Sequence, residues 1–386
     1  MHFNKKEMNL FDVYPLWNIE PVKGCGCRIW DKDGKEYMDL YGGRAVISIG
    51  HSHPTYTQTV SEQAGKLGFY SNAVQNPLQK QLARELGEIC GYPEYNLFLC
   101  NSGAEANENA MKVASFHTGR KKILALKKAF HGRTSGAVEA TDNPKIQAEF
   151  NKNGNIVFIP INDLEAAAQQ LRTKEFAAII IEGIQGVAGI YTPEAEYLKG
   201  VRQLCDETGT VLILDEIQSG YGRSGKFFAH QHSGVKADIV SMAKGIANGF
   251  PVGAIIISPE IKAEYGMLGT TFGGNHLACA AALAVLEVIR KENLIDNAAA
   301  MGDYFMAGLQ KYVGEGKPVK ELRGKGLMIG IEVNPGYEDL RNRLLFEKGI
   351  FTGGAGKTII RLLPPLCVGK EEAERFLSAL DELVGM

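Results

Sequence analysis

Through the middle of the chain, short unbroken apolar runs alternate with amphipathic stretches. The runs are "KILAL", "NIVFIP", "FAAIIIEG", "TVLILDE", "DIVSMA" and "GAIIIS". Between them lie segments such as "DLEAAAQQLRTK" and "EYLKGVRQLCDETG", whose apolar positions recur with helical spacing. Strands buried on both faces read as continuous Val/Ile/Leu runs, and helices between them cover the faces. The pattern therefore predicts an α/β unit with a mostly parallel central sheet, placed at about residues 51–285. The ends read differently. "IGIEV" and "TIIRLLPPL" predict strands and "EEAERFLSALDELVGM" a terminal helix, so 286–386 forms a smaller α+β unit. Residues 1–50 contain "GCGCRIWDKDGKEYMDLYGG", which reads as a hairpin turning at "DKDGKE" and packing with the C-terminal unit.

A chain of 386 residues exceeds one ordinary core and fits two units in close contact. Its net charge of −2 supplies no field for nucleic acid or a membrane surface. No apolar run is long enough to span a bilayer, and the start "MHFNKKEMNLFDVYPLWN" lacks the apolar core of a secretory signal. The seven cysteines are scattered and odd in number, and Cys25 and Cys27 form C-x-C. They read as reduced thiols acting as small buried hydrophobes in a cytoplasmic protein. His51, His53 and His131 have no metal-ligand spacing, so no metal is expected.

Candidate chemistry sits where the strand runs end, because ligands of parallel α/β sheets bind at the carboxyl ends of strands. In "VLILDEIQSGYGRSG" the run stops on Asp215, which is either a cap or loop acid or a carboxylate aimed at a bound cation. In "SMAKGIANGFPVGA", Lys244 follows a buried-looking strand. A desolvated lysine loses proton affinity and can act as an amine nucleophile toward a carbonyl. In "LFLCNSGAEANENAMKVASFHTG" a strand gives way to a helix at Ser102-Gly103-Ala104, which is either a plain cap or a phosphate cradle built on free amides. In "AFHGRTSG", Phe130 offers a ring to stack on and Arg133 a guanidinium for a carboxylate, against core packing and a surface charge. A phosphate, a flat ring carrying a cation and an aldehyde captured by lysine together describe pyridoxal 5′-phosphate.

The motifs "GHSHP", "CNSGAEANE", "FHGRT", "IEGIQG", "LDEIQSGYGRSG", "AKGIANGFPVGA", "TTFGGN", "RGKGLMIGIE" and "IIRLLPPL" follow one another over almost the whole chain. In that order the sequence resembles the class III aminotransferases, nearest to the acetylornithine (or succinylornithine) group. The resemblance implies the fold type I of pyridoxal-phosphate-dependent transferases and a homodimer with shared active sites. It implies that Lys244 carries the cofactor and moves the proton, and that Asp215 pairs with the pyridine nitrogen. Gln218 would lie beside the phenolic oxygen, Phe130 on the ring, and Ser102, Gly103 and Ala104 around the phosphate. Thr271 would reach the phosphate of the neighbouring subunit, with Thr270 near the substrate there. Arg133 and Arg361 would clamp carboxylates. The implied reaction moves the side-chain amine of an N-acylornithine to 2-oxoglutarate, as in arginine biosynthesis. Ornithine, 4-aminobutyrate and N-acetyllysine are rival donors, and a non-catalytic ligand-binding protein is the rival from another class.

Two departures stand out. The family's usual "EPIQGEGG" is here "EGIQGVAG", with Val187 at the second glutamate. In "YGGRAVISIGH", Arg44 replaces a usually apolar residue. A lost anion and an added cation point to a donor with an extra carboxylate, such as N-succinylornithine. Finally, "GGAGKT" (353–358) fails the phosphate-loop pattern at Phe351 and leads into a strand rather than a helix.

Overall fold

The apolar runs become strands in a computed structural model that describes residues 8–385. The first seven residues of the segment read above for a secretory signal lie outside the described residues. Near the N-terminus the chain forms β1 (Pro21–Cys25), β2 (Arg28–Asp31) and β3 (Glu36–Asp39). The centre supplies β4 (Asn96–Cys100), β5 (Lys122–Leu126), β6 (Ile156–Ile159), β7 (Phe176–Glu182), β8 (Val211–Asp215), β9 (Ile239–Met242) and β10 (Gly253–Ile257). The C-terminal part adds β11 (Val319–Lys325), β12 (Met328–Val333), β13 (Ile350–Phe351), β14 (Gly353–Ala355) and β15 (Ile359–Leu362).

The central sheet has the order β4-β10-β9-β8-β7-β5-β6. Strand β10 runs antiparallel to β4 and β9, and the remaining strands share one direction. Every residue of β7 and β8 is buried, as their unbroken apolar runs require. The helix Gly103–Thr118 lies across β7, β8, β9 and β10. Its Ala106, Ala110 and Ala114 are buried small residues that let helix and sheet approach closely. Parallelism brings the carboxyl ends of β4, β5, β7, β8 and β9 to one edge, and the reversed β10 returns Pro251 and Val252 to that same edge.

The "DKDGKE" turn joins β2 to β3, with Asp31 Oδ1 accepting the amides of Asp33 (3.0 Å) and Lys35 (2.9 Å). Strand β3 pairs in parallel with β13, so the chain's beginning and end share one sheet. "GGAGKT" folds as the β14–β15 hairpin, which has no helix N-terminus for a phosphate. The helix His276–Lys291 runs unbroken through the expected boundary between 285 and 286. No helix among the described residues is long and apolar enough to cross a membrane.

Candidate active site

Five strand ends meet around a cavity of about 360 Å³. Its lining includes Ser102, Gly103 and Ala104 after β4, Phe130 and Arg133 beyond β5, Glu182 at the end of β7, Asp215 at the end of β8, and Lys244 after β9. Residues scattered over more than 140 positions of sequence thus converge because parallel strands all end on one side.

Asp215 is buried, and its partners come from three directions. Oδ2 accepts from Asn107 Nδ2 at 2.8 Å and lies 2.7 Å from His131 Nδ1, while Oδ1 accepts the Ile217 amide at 3.0 Å. Asn107 is itself held by Ser241 Oγ at 2.6 Å and donates to the His131 carbonyl at 2.8 Å. The carboxylate is therefore fixed in orientation. The adjacent Glu216 faces elsewhere: it accepts the amides of Ala229 and His230 and the His230 ring. Two neighbouring acids end one strand because one serves the cavity and the other ties down a buried loop.

Lys244 begins a short 3-10 turn with φ +47°, a left-handed backbone unusual outside glycine. It is half-buried and lines the cavity. Burial lowers its proton affinity, Arg361 and Arg44 act in the same sense, and Asp215 and Glu182 oppose them. Glu182 accepts the amides of Phe130 (3.0 Å) and Gly186 (3.2 Å). Its burial, with Asp215 nearby, raises its pKa to about 7 against the pull of His131.

The Ser102 hydroxyl caps its helix by accepting the Glu105 amide at 3.1 Å. The first-turn amides of Gly103 and Ala104 have no acceptor within the helix and open on the cavity. Gln218 Nε2 donates to the Arg44 carbonyl at 3.4 Å, and its buried Oε1 has no partner. Gly186 makes room for that side chain: a Cβ there would stand 1.6 Å from Gln218 Oε1.

Arg361, on β15, is buried, donates Nη1 to the Gly186 carbonyl at 2.8 Å and lies over the Tyr41 ring. Its Nε is buried without a partner. Arg133 is exposed at the cavity's edge. Arg44 is exposed on a turn in which Gly42, Gly43, Arg44 and Ala45 all have φ between +55° and +74°. Thr270 and Thr271 stay outside this cavity. Thr270 Oγ1 accepts from Asn101 Nδ2 (3.3 Å) and the Gly273 amide (3.0 Å), and Thr271 is exposed.

The model for the class III aminotransferases matches residues 13–384. The chain belongs to the class III aminotransferase family. It is 41% identical to the acetylornithine aminotransferase of Caldanaerobacter subterraneus over 97% of each chain. It is 42% identical to that of Methanocaldococcus jannaschii, over 96% of this chain and 94% of the relative. Among solved structures, the ornithine aminotransferase of Toxoplasma gondii superposes with a TM-score of 0.91 at 30% identity, covering 97% of this chain and 91% of that one.

Class III aminotransferases depend on pyridoxal 5′-phosphate, and the residues of this chain fit it. Free helix amides suit a phosphate, and the buried orphan Gln218 Oε1 marks a missing polar neighbour. The fixed Asp215 suits a ring cation, and the half-buried Lys244 suits an aldehyde. Sequence reading missed Asn107, His131 as the orienting partner of Asp215, and Glu182. His131 stood inside a motif already singled out, whereas Asn107 looked like any polar residue of its helix. One expectation needs correcting: Cys25 is exposed, because it faces outward on the edge strand β1, and only the other cysteines are buried or partly buried.

Proposed function

We propose that this class III aminotransferase moves the side-chain amine of an N-acylornithine to 2-oxoglutarate, releasing the N-acylglutamate semialdehyde and glutamate. The convergence of Lys244, the oriented Asp215 and a helix N-terminus on one cavity carries the reading. The acetylornithine aminotransferases among its relatives support the donor class. When bound, pyridoxal phosphate supplies an aldehyde for the amine and a ring that accepts the electron pair left on carbon.

The chain's own residues do the rest. Ser102, Gly103 and Ala104 would hold the phosphate, Phe130 would cover the ring face, and Gln218 would meet the phenolic oxygen. Asp215, braced by Asn107 and His131, would hold the proton of the ring nitrogen. Lys244 Nζ would take the proton from the carbon bearing the amine and return it elsewhere; burial favours its neutral, basic form. Arg133 and Arg361 would bind carboxylates. Thr270 and Thr271 would serve the neighbouring subunit's site in a homodimer. Exposed Phe69, Tyr70 and Phe272 beside them support such an interface. The smaller unit would comprise 1–50 and 286–386 around the large unit 51–285, in a cytoplasmic enzyme.

A specific observation favours succinyl as the acyl group. Arg44, Arg133 and Arg361 form no ion pair with a carboxylate among the described residues, and Val187 lines the cavity without charge. N-succinylornithine carries one carboxylate more than N-acetylornithine, and Arg44 adds a third unpaired guanidinium to the two that 2-oxoglutarate needs. A charged contact of about 1.5–3 kcal/mol gives roughly a tenfold to hundredfold preference. Steady-state assays with N-acetylornithine, N-succinylornithine and free ornithine test the proposal. Turnover of either acylated donor with 2-oxoglutarate supports it, and turnover of ornithine alone overturns it. Lys244→Ala is expected to lower turnover by at least about a thousandfold. Arg44→Ala should reduce kcat/KM for the succinyl donor alone; an equal loss on both donors removes its selective role.

A further inference from the structure

Cys27 and Cys367 stand 340 positions apart in sequence, yet their sulfurs lie 3.8 Å apart. Cys27 occupies the turn between β1 and β2 and is 5% exposed. Cys367 occupies a turn closed by the Val368 amide on the Pro365 carbonyl (3.1 Å) and is partly exposed. Room for its sulfur comes from Gly50: a Cβ there would lie 2.9 Å from Cys367 Sγ. The two thiols share a hydrogen bond. It makes Cys27 hold its proton more tightly and Cys367 hold its own less tightly.

The backbone around both thiols is tied down. The Cys27 carbonyl accepts the Asp39 amide at 2.7 Å, and Asn297 Nδ2 donates to the Leu366 (2.7 Å) and Val368 (3.0 Å) carbonyls. The same turn reaches the catalytic edge. The Leu366 amide donates to the Ser48 carbonyl at 2.7 Å, and Ser48 Oγ donates to the carbonyl of Gly245, the neighbour of Lys244, at 2.8 Å.

We propose that Cys27 and Cys367 form a reversible disulfide, a redox modification site that clamps the N-terminal hairpin to the turn after β15. Closing from 3.8 Å to the roughly 2 Å of a sulfur–sulfur bond needs a shift of under about 2 Å, within reach of side-chain rotation and a small movement of the turn. The oxidant is a low-molecular-weight disulfide. The Cys367 thiolate attacks one of its sulfurs, and the other leaves as a thiol after taking a proton. Cys27 then gives up its proton, and its sulfur displaces the second small thiol from the mixed disulfide. Two protein thiols lose two electrons, and the oxidant is reduced to two thiols. In a reducing compartment such a pair is a sensor rather than a permanent staple.

The test uses holoenzyme incubated with oxidised glutathione, then alkylated and digested without reduction. The expected result is a peptide pair linked through Cys27 and Cys367, restored to free thiols by dithiothreitol, with exposed Cys25 not part of the link. The oxidised protein should melt several degrees higher than the reduced one, a shift absent from Cys367→Ser and from Cys27→Ala. Modification confined to Cys25 overturns the proposal. So does a linked peptide accompanied by a lower melting temperature, because that link would have formed through unfolding.

Discussion

Single side chains around the cavity differ in how they are held and charged. Glu182 is a buried carboxyl whose pKa stands near 7, above its unfolded value of about 4.5. A group raised on folding binds more protons in the native state, so native stability falls as pH rises from about 4.5 through 7. The apo form of Glu182→Gln should lack that part of the decline, up to about 3 kcal/mol, in denaturant melts at pH 5 and pH 8. Equal slopes in both proteins would show that Glu182 titrates normally. Glu182 is held by two backbone amides, whereas Asp215 is held by the side chains of Asn107 and His131 as well as the Ile217 amide. Asp215→Asn turns an NH2 toward one of these donors, so it should lower the melting temperature somewhat while losing on the order of a hundredfold to a thousandfold in kcat. Of these residues, Asp215 and Lys244 were legible because each ends a run of buried apolar positions. Asn107 was not: it reaches Asp215 across 108 positions, and nothing in a helix's own sequence reports what the adjacent sheet presents to it.

At the level of elements, the left-handed turn Gly42–Ala45 shows how strain can be held in place. Asp39 Oδ1 accepts the amides of Tyr41 (2.9 Å) and Gly42 (2.8 Å), and the Ala45 and Val46 amides close on Tyr41 and Gly42. Two of its four residues have a Cβ, and each such residue costs about 1–2 kcal/mol in this conformation. Arg44→Gly should then raise or preserve the melting temperature while lowering kcat/KM for a succinylated donor. A stable variant with unchanged selectivity would leave the strain without that purpose. Strand existence was readable from apolar runs, but the reversed direction of β10 was not. "GAIIIS" is almost as fully buried as the parallel strands β7 and β8, and burial alone carries no information about direction.

For the whole molecule, the exposed Phe69, Tyr70 and Phe272 lie next to Thr270 and Thr271, which do not reach the cavity of their own chain. A dimer is expected in light scattering, and Phe272→Asp should weaken both association and turnover. A fully active monomer would remove the shared-site arrangement. Contacts such as Cys27 with Cys367 and β3 with β13 were not legible, because they arise only when the two chain ends fold together. The most direct test of the central claim is a half-reaction. Protein loaded with pyridoxal phosphate is mixed with N-acetylornithine or N-succinylornithine without an acceptor, while the visible absorption of the lysine-bound cofactor is followed. Loss of that absorption is expected with an acylated donor, and its return on adding 2-oxoglutarate. An unchanged spectrum with both donors, in protein that does respond to free ornithine or 4-aminobutyrate, would contradict it.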